Sequence, residues 1–444
     1  MHRIPIMQFL IFSILLASSD IIVIANEKDI GAPQKQTISK TVVVKMNGDE
    51  APLDLKWLIQ EAVQHNPEIV AAQKRINAAK AKISQAKSLD DPSIRAGSFD
   101  MAGSPIDING KTDMLQQRFG VSQKIPFPGK LRLRGEIAVE ESNMIQKESQ
   151  AKIQEIIALV KSAFYELYYI NRAIDITEEN RELLRKFAKI AETKYSVGKA
   201  TQRDVLAAQV ESSTLANSVI VLNKEKESVI ARLNTLLDRP THIPVGKPRP
   251  FEKHTLNMTL KELEDLAIKN RPELKRFDHA VKRNEANLKL SKRDYYYADF
   301  EPMVEYMRDA SRPDTWASEI TINIPWLWPK NRLKVKESNE ELDAAKSDYR
   351  FINNKTLFEV KDFLVKIQSS ESTINLYKTG VIPQAEQSLK AARIGYETDR
   401  VDFLTVIDSQ RILLNSRLLY YRALIDFEQN LANMERAIGR QLTQ

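Results

Sequence analysis

The sequence predicts a mainly α-helical protein with a small β part, built from two tandem repeats. The 444 residues include only 13 Gly and 18 Pro, and strong helix formers dominate the long stretches that lack both. Short segments in which apolar and polar residues alternate precede each of the longest helical stretches. The same order of motifs occurs twice along the chain.

The repeat is visible at both ends of each copy. Pro67 belongs to a motif that recurs at Pro272, 205 residues later, and Tyr195 recurs as Tyr396, 201 residues later. Matches in the same order at both ends argue against chance similarity between two helical segments. We therefore predict repeat 1 over 53–239, a proline-rich linker over 240–259 and repeat 2 over 260–442.

The N-terminus has the pattern of an export signal. His2 and Arg3 precede an apolar run over 6–17, and small residues follow it. This pattern predicts a signal peptide over 1–25, followed by an N-terminal extension over 26–52. A membrane anchor is the alternative, because apolar residues resume at 21–24. We find no later run that is long and apolar enough for a membrane-spanning helix, so a membrane-spanning part would consist of strands.

Each copy predicts the same four helices. A first-turn proline favours helix starts at Pro67 and Pro272, and apolar residues recur at three- and four-residue steps along each long helix. Pro383 is expected to kink the second long helix. At ~1.5 Å per residue, the long helix of copy one is about 88 Å, and its two shorter helices total about 87 Å, which predicts a rod. In copy one, a short first helix is predicted to end near 66, and three more cover 67–89, 137–195 and 203–237. In copy two, the short helix ends near 271, and the others cover 272–297, 332–396 and 402–438.

Two segments with period-two alternation predict strands. They cover 119–125 and 320–324, and their expected partners are 93–101 and 303–308, across polar loops at 102–117 and 309–317. One chain thus offers four strands. Lipid does not tolerate an open sheet edge, and known membrane barrels need about eight strands. If these strands enter lipid, several chains must combine them.

A proline–aromatic cluster follows each predicted hairpin. Phe127 lies in the first cluster, and Trp326 and Trp328 lie in the second. Aromatic rings beside Lys and Arg favour a position at the membrane–water interface. The alternative is a buried aromatic corner that joins strand to helix.

No pattern in the sequence predicts catalysis. The absence of Cys excludes disulfides, thiolate metal sites and Cys nucleophiles, and the five His have no metal-ligand spacing. The 66 basic and 59 acidic residues give a net charge of only +7, which indicates solvated helix faces rather than nucleic-acid binding. We expect a protein that is not an enzyme, has no cofactor or metal site, and works passively.

The ordered set of motifs is similar to the TolC-like outer-membrane efflux proteins, over about residues 53–442. The Pro-Phe-Pro-Gly-Lys stretch at 126–130 and the Val-Asp-Phe-Leu turn at 401–404 are most similar to the heavy-metal branch, which includes CusC and CzcC. The resemblance implies a homotrimer in the outer membrane of a Gram-negative bacterium, extending into the periplasm. Each repeat would add a β-hairpin to an intersubunit β-barrel and long helices to a periplasmic α-barrel. The implied partners are a periplasmic adaptor protein, an inner-membrane pump and outer-membrane lipid.

The resemblance also assigns roles to the two helical turns at the periplasmic tip. Asp408 matches a position where family members narrow the tip with aspartate, and Thr405 stands where another aspartate can be, so these two are gate candidates. Helix capping is the alternative for Asp204 and Asp402. The adaptor-docking candidates are Tyr195, Gly198, Asp204, Val205, Leu206, Tyr396, Asp399, Val406 and Ile407.

These observations predict the outer-membrane channel subunit of a tripartite efflux system, with heavy-metal ions as candidate cargo. A type I secretion duct or general drug-efflux duct of the same architecture is one alternative. A soluble periplasmic coiled-coil scaffold is the alternative from another class.

Overall fold

The computed structural model describes residues 52–100, 115–309 and 313–442. The predicted signal peptide and residues 26–51 of the predicted extension lie outside this part. The chain divides into two units, residues 1–46 and 47–444, and every described residue belongs to the second.

Helices and a small sheet alternate in the same order twice. The helices are α1 (Leu55–His65), α2 (Pro67–Lys87), α3 (Lys130–Ser196), α4 (Gln202–Leu236), α5 (Leu260–Asn270), α6 (Pro272–Tyr296), α7 (Lys330–Leu376), α8 (Ile382–Glu397) and α9 (Phe403–Ile438). The strands are β1 (Ser93–Asp100), β2 (Leu115–Ser122), β3 (Phe300–Asp309) and β4 (Thr315–Ile322). The predicted fold class, mainly α with a small β part in two repeats, is confirmed.

The second long helix is interrupted where the sequence predicts a kink. A π-helical turn over Tyr377–Val381 separates α7 from α8, and Pro383 lies in the first turn of α8. Proline has no N–H to donate to the residue four positions earlier, so an ordinary helical turn cannot form there. The wider turn accommodates one more residue. It accounts for the spacing between copies, which is 200 at Lys130 and Lys330 but 201 at Tyr195 and Tyr396.

The four strands form one antiparallel sheet in the order β1-β2-β3-β4. Phe119 pairs with Tyr306, which pairs in turn with Trp316. The predicted loops at 102–117 and 309–317 were too long, because 115–117, 309 and 315–317 belong to strands. Backbone pairing extends a ladder through polar residues that alternation alone does not mark. Conversely, β2 ends at Ser122, and of the residues just beyond it, Ile125 forms an isolated bridge with Phe300.

The longer helices form a wall, and the short helices α1 and α5 pack on it beside the linker between the repeats. Near the sheet the neighbours follow in the order α2, α3, α6, α7; towards the other end they follow in the order α4, α3, α9, α8. The outermost helices of this wall have one side without a neighbour in the described part of the chain.

Helix α4 corrects one sequence interpretation. It contains an 18-residue stretch with mean hydropathy 1.4, so the chain does have a late helix that could span a membrane by length and composition. Only 17% of that stretch is buried. Since α4 is an edge helix of the wall, we attribute its apolar residues to packing against a neighbour rather than to a membrane span.

A buried ionic cluster fixes the linker between the repeats to α3 and α9. Glu428 is 1% exposed; its carboxylate accepts the backbone N–H of His254 at 3.0 Å and lies 2.8 Å from His254 Nδ1. Nearby, Lys161 Nζ donates to Glu435 at 2.5 Å. The hydrogen bond to Glu428 raises the pKa of His254, against the opposing effect of partial burial. Loss of either partner would leave a buried charge unpaired.

We expect the His254–Glu428 pair to make stability depend on pH. The folded pKa of His254 is raised, so its contribution is complete below the unfolded pKa of about 6.5 and is lost as pH rises through the folded value. His254→Gln should therefore unfold at a lower temperature than wild type at about pH 6, and the difference should narrow by about pH 9. Circular dichroism measures both. His242→Gln, at an exposed linker histidine, is the control and should show no such pH-dependent difference.

We also expect two glycines with positive φ to differ in their tolerance of alanine. At Gly439 (φ +77°) a Cβ would lie 2.8 Å from Pro272 Cδ and 3.0 Å from Arg271 Cα, whereas at Gly198 (φ +73°) it would meet nothing within 4 Å. Gly439→Ala should destabilise the fold by roughly 2–4 kcal/mol and Gly198→Ala by about 1 kcal/mol, measured by thermal unfolding. Equal losses would contradict this packing at Gly439.

Candidate functional site

The first helical turn at the tip is closed by a glycine and an aspartate cap. Gly198 adopts φ +73°, and its N–H donates to the Tyr195 carbonyl at 2.9 Å. The Thr201 N–H donates to the Asp204 carboxylate at 3.2 Å. Asp204 therefore has the capping geometry that the sequence offered as an alternative. Neighbouring Val205 is half-buried in the tip core.

The second turn is held to the first by Lys194. Asp399 stands at the position of Gly198 and also has a positive φ, of +58°. Lys194 Nζ donates to Asp399 Oδ1 at 2.5 Å and to the Tyr396 carbonyl, and it lies 4.5 Å from the centre of the Tyr396 ring. The hydrogen bond from Lys194 lowers the pKa of Asp399. The repeat did not reveal Lys194, because its partners belong to the other copy.

Asp402 caps α9 and engages a predicted gate residue. Its Oδ1 accepts the Thr405 N–H at 3.1 Å and the Thr405 hydroxyl at 2.5 Å. These bonds lower the pKa of Asp402. Thr405 therefore takes part in a helix cap, and its hydroxyl is committed to a neighbour in its own chain.

Burial divides the remaining tip candidates into two groups. Tyr396, Val406 and Ile407 are at most 7% exposed and pack with Phe403 in the tip core. Their burial raises the pKa of Tyr396 to about 12. Exposed surface is instead offered by Tyr195, Gly198, Leu206, Asp399 and Asp408.

A groove of about 620 Å³ opens between α4 and α9 beside these exposed residues. Arg411 crosses it, donating to Glu211 at 3.0 Å and lying 3.8 Å from Asp408. The side chain of Asp408 is 70% exposed, so its charge is only partly offset within its own chain. Sequence reasoning missed Glu211 and Arg411, because helices 200 residues apart meet only in the fold.

The sheet at the opposite end has two unlike faces. One carries apolar residues that are mostly more than half exposed, and the strand register places these side chains on one side. They are Ile94, Phe119, Val121, Val304, Trp316, Ile320 and Ile322. The other face carries the charged residues Arg95, Arg118, Glu301, Glu305 and Glu319. Such a sheet suits a position between an apolar medium and water.

The two proline–aromatic corners differ. Phe127 stacks on Tyr297 with ring centres 4.3 Å apart, and its N–H donates to Asp299 at 3.0 Å, which is the buried-corner alternative. Trp326 and Trp328 are 55% and 73% exposed, as the interface interpretation requires. The first corner therefore joins strand to helix, and only the second presents aromatic rings outward.

Within residues 52–100, 115–309 and 313–442, no group of three or more His, Asp or Glu is placed to hold a metal ion.

Comparisons with known proteins agree with this architecture. Residues 58–237 match the family model "Outer membrane efflux protein". The cobalt-zinc-cadmium resistance protein CzcC of Cupriavidus metallidurans is 22% identical over 417 residues, which cover 92% of this chain and 95% of CzcC.

Solved structures share the fold over most of both chains. Crystal structures of CusC give a TM-score of 0.77 at 16% identity, covering 87% of this chain and 92% of CusC. The outer-membrane protein VceC of Vibrio cholerae gives 0.74 at 18% identity, covering 87% and 96%. The chain therefore matches the outer-membrane efflux family model in its first repeat, and it shares the fold of solved outer-membrane channels over most of its length.

Proposed function

We propose that this chain is the outer-membrane channel subunit of a tripartite efflux system and works as a passive trimeric duct. One observation supports the proposal most strongly. Among the described residues, the outer strands of the sheet and the outermost helices of the wall each have one side without a neighbour. Energy for transport would come from an inner-membrane pump, reached through a periplasmic adaptor.

The sheet edges need partners from other copies. Among the described residues, β1 pairs only with β2 and β4 only with β3, so each leaves one edge unpaired. Unpaired backbone amides and carbonyls are not tolerated in hydrocarbon. If β4 of one copy pairs with β1 of the next, three copies close a barrel of twelve strands, above the eight of the smallest known barrels.

The helical edges carry apolar side chains that water would otherwise contact. On α7, Phe351, Phe358 and Val365 recur every seven residues and are 67%, 68% and 48% exposed. On α4, at the other edge, Val210 and Ile220 are 65% and 61% exposed. A seven-residue apolar spacing is typical of a helix that packs lengthwise on a neighbour. Closing the ring would bury both edges.

The tip offers the surface for an adaptor. Its exposed surface includes Tyr195, Leu206 and the groove beside Arg411. Beneath this surface, the buried side chains of Tyr396, Val406 and Ile407 pack the two turns together. Helix-in-groove packing is a common way to recognise a helical partner. We propose Asp408 as the charged residue of the gate, since its side chain is 70% exposed, whereas Thr405 carries no charge and is bonded to Asp402.

Divalent heavy-metal ions are the proposed cargo. The relative that resembles this chain along almost its whole length is named for resistance to cobalt, zinc and cadmium. The 13 to 18% identity of the solved channels supports only the fold, so they do not favour a cargo. General drug efflux and type I secretion are the alternatives.

We expect the purified protein to have the mass of three chains in detergent and to conduct ions in planar bilayers. Native mass spectrometry and single-channel recording measure these properties. A monomer without conductance would contradict the duct, and extraction without detergent would favour the soluble scaffold.

An edge substitution provides the matched variant. Phe358→Asp places a charge on exposed surface of edge helix α7, and it should reduce both the trimer fraction and the conductance. Leu419→Asp is the control, because it also places a charge on an exposed surface. Leu419 is 50% exposed, but its helix α9 has helical neighbours on both sides within the chain, so this variant should preserve the trimer.

We expect deletion of the gene to sensitise the source bacterium to cobalt, zinc or cadmium. Growth-inhibition assays with these salts, complemented by the intact gene, measure the effect. Sensitivity to detergents or antibiotics with unchanged metal tolerance would support drug efflux instead.

A further inference from the structure

We propose that α7 of one chain packs on α2 of the neighbouring chain, in the same register in which α3 packs on α6 within a single chain. Two interchain ion pairs follow: Lys74 with Glu340, and Lys330 with Asp90 or Asp91. The inference rests on the proposed oligomeric duct and names the contact that closes it.

The register comes from two equivalences between the repeats. Helices α2 and α6 begin at Pro67 and Pro272, a spacing of 205. Helices α3 and α7 begin at Lys130 and Lys330, a spacing of 200. The second spacing holds along the helix, since its buried positions recur: Ala138 and Ser338, Ser142 and Leu342, Val160 and Val360, Phe164 and Leu364, Leu167 and Ile367.

The contact between α3 and α6 provides the template. Near the middle of this contact, His279 Nδ1 lies 2.7 Å from the Glu140 carboxylate. At its membrane-proximal end, Lys130 is 2% exposed and its Nζ lies 2.8 Å from Asp299 and 3.3 Å from Asp294. Helix α6 lies between α3 and α7. Helix α7 corresponds to α3, and its side equivalent to the α6-facing side of α3 has no neighbour in the described part of the chain. Helix α2 corresponds to α6, and its side equivalent to the α3-facing side of α6 has none either.

Transferred to those free sides, the template brings opposite charges together. The counterpart of His279 is Lys74, and the counterpart of Glu140 is Glu340. The counterpart of Lys130 is Lys330. Counted from the helix ends, Asp90 is the third residue after α2, as Asp299 is the third residue after α6, and Asp91 follows it. All five residues are exposed, and none of their side chains has a hydrogen-bond or ion-pair partner in the described part of the chain.

The pairing also explains a difference between the two copies. Lys130 and Lys330 follow similar proline–aromatic segments, yet one is buried among carboxylates and the other is exposed. A buried lysine needs a carboxylate, and among the described residues no carboxylate forms an ion pair with Lys330. In the proposed contact, the neighbouring chain supplies two carboxylates, Asp90 and Asp91, just beyond the end of its α2.

Cross-linking tests the contact directly, because the chain has no cysteine of its own. Chains with Lys74→Cys and Glu340→Cys, and separately with Lys330→Cys and Asp91→Cys, are treated in detergent or in membranes with a short bifunctional maleimide. The control pair is Lys74→Cys with Lys390→Cys, since Lys390 is an exposed lysine of α8, far along the wall. Denaturing gels should show dimers and trimers for both test pairs and monomers for the control.

The outcomes separate this contact from the proposed duct. A trimer by native mass without cross-links above the control would overturn the contact and leave the duct standing, whereas a monomer by mass would overturn both. Cross-linking at Lys74 and Glu340 but not at Lys330 would overturn the second pair and assign Lys330 to another anion, such as a lipid headgroup. Charge reversal gives an independent readout: Lys74→Glu should weaken the trimer about two- to fivefold, and adding Glu340→Lys should restore it.

Discussion

The need to satisfy backbone amides and cover apolar surface at the chain's two edges governs this structure. A four-stranded sheet with one apolar face would be marginal in water and intolerable in lipid as long as its outer strands are unpaired. The helical wall likewise leaves apolar side chains exposed on its outermost helices α4 and α7. In the proposed duct, neighbouring chains would satisfy both requirements at once, since a closed ring removes the strand edges and buries the apolar stripes of the outermost helices.

Within that constraint, the two repeats have diverged for different tasks. The first corner is closed by Phe127 on Tyr297 and by Lys130 among carboxylates, so it is completed within the chain. The second corner exposes Trp326 and Trp328, and its Lys330 side chain has no ion-pair or hydrogen-bond partner among the described residues. The division is reversed at the tip, where Gly198 of repeat 1 makes an open turn and Asp399 of repeat 2 is tied to Lys194. Each repeat is therefore fixed within the chain at one end and exposed at the other.

Charged side chains have distinct roles at different heights of the molecule. In the middle, Glu428 and Glu435 are buried and fix the linker and α3 to α9, so they contribute to order. At the tip, Asp204 and Asp402 cap helices while Asp408 remains largely in solvent. Only exposed charge of the last kind can act on ions that pass or on a docking partner, since capping carboxylates are already engaged.

The sequence by itself determined the element order, the helix starts at Pro67 and Pro272 and the interruption before Pro383, because these depend on local preferences and on motifs repeated in order. Only the tertiary structure decided which tip residues are surface and which are core. Val406 and Ile407 look like any apolar residues after a turn, and they are buried because α3, α4 and α8 converge on them. The strand ends and the apolar edge of α4 were also beyond sequence reasoning, since ladder length and helix neighbours depend on residues far away in the chain. The contacts of Lys194 and Arg411 arise for the same reason, from segments about 200 residues apart.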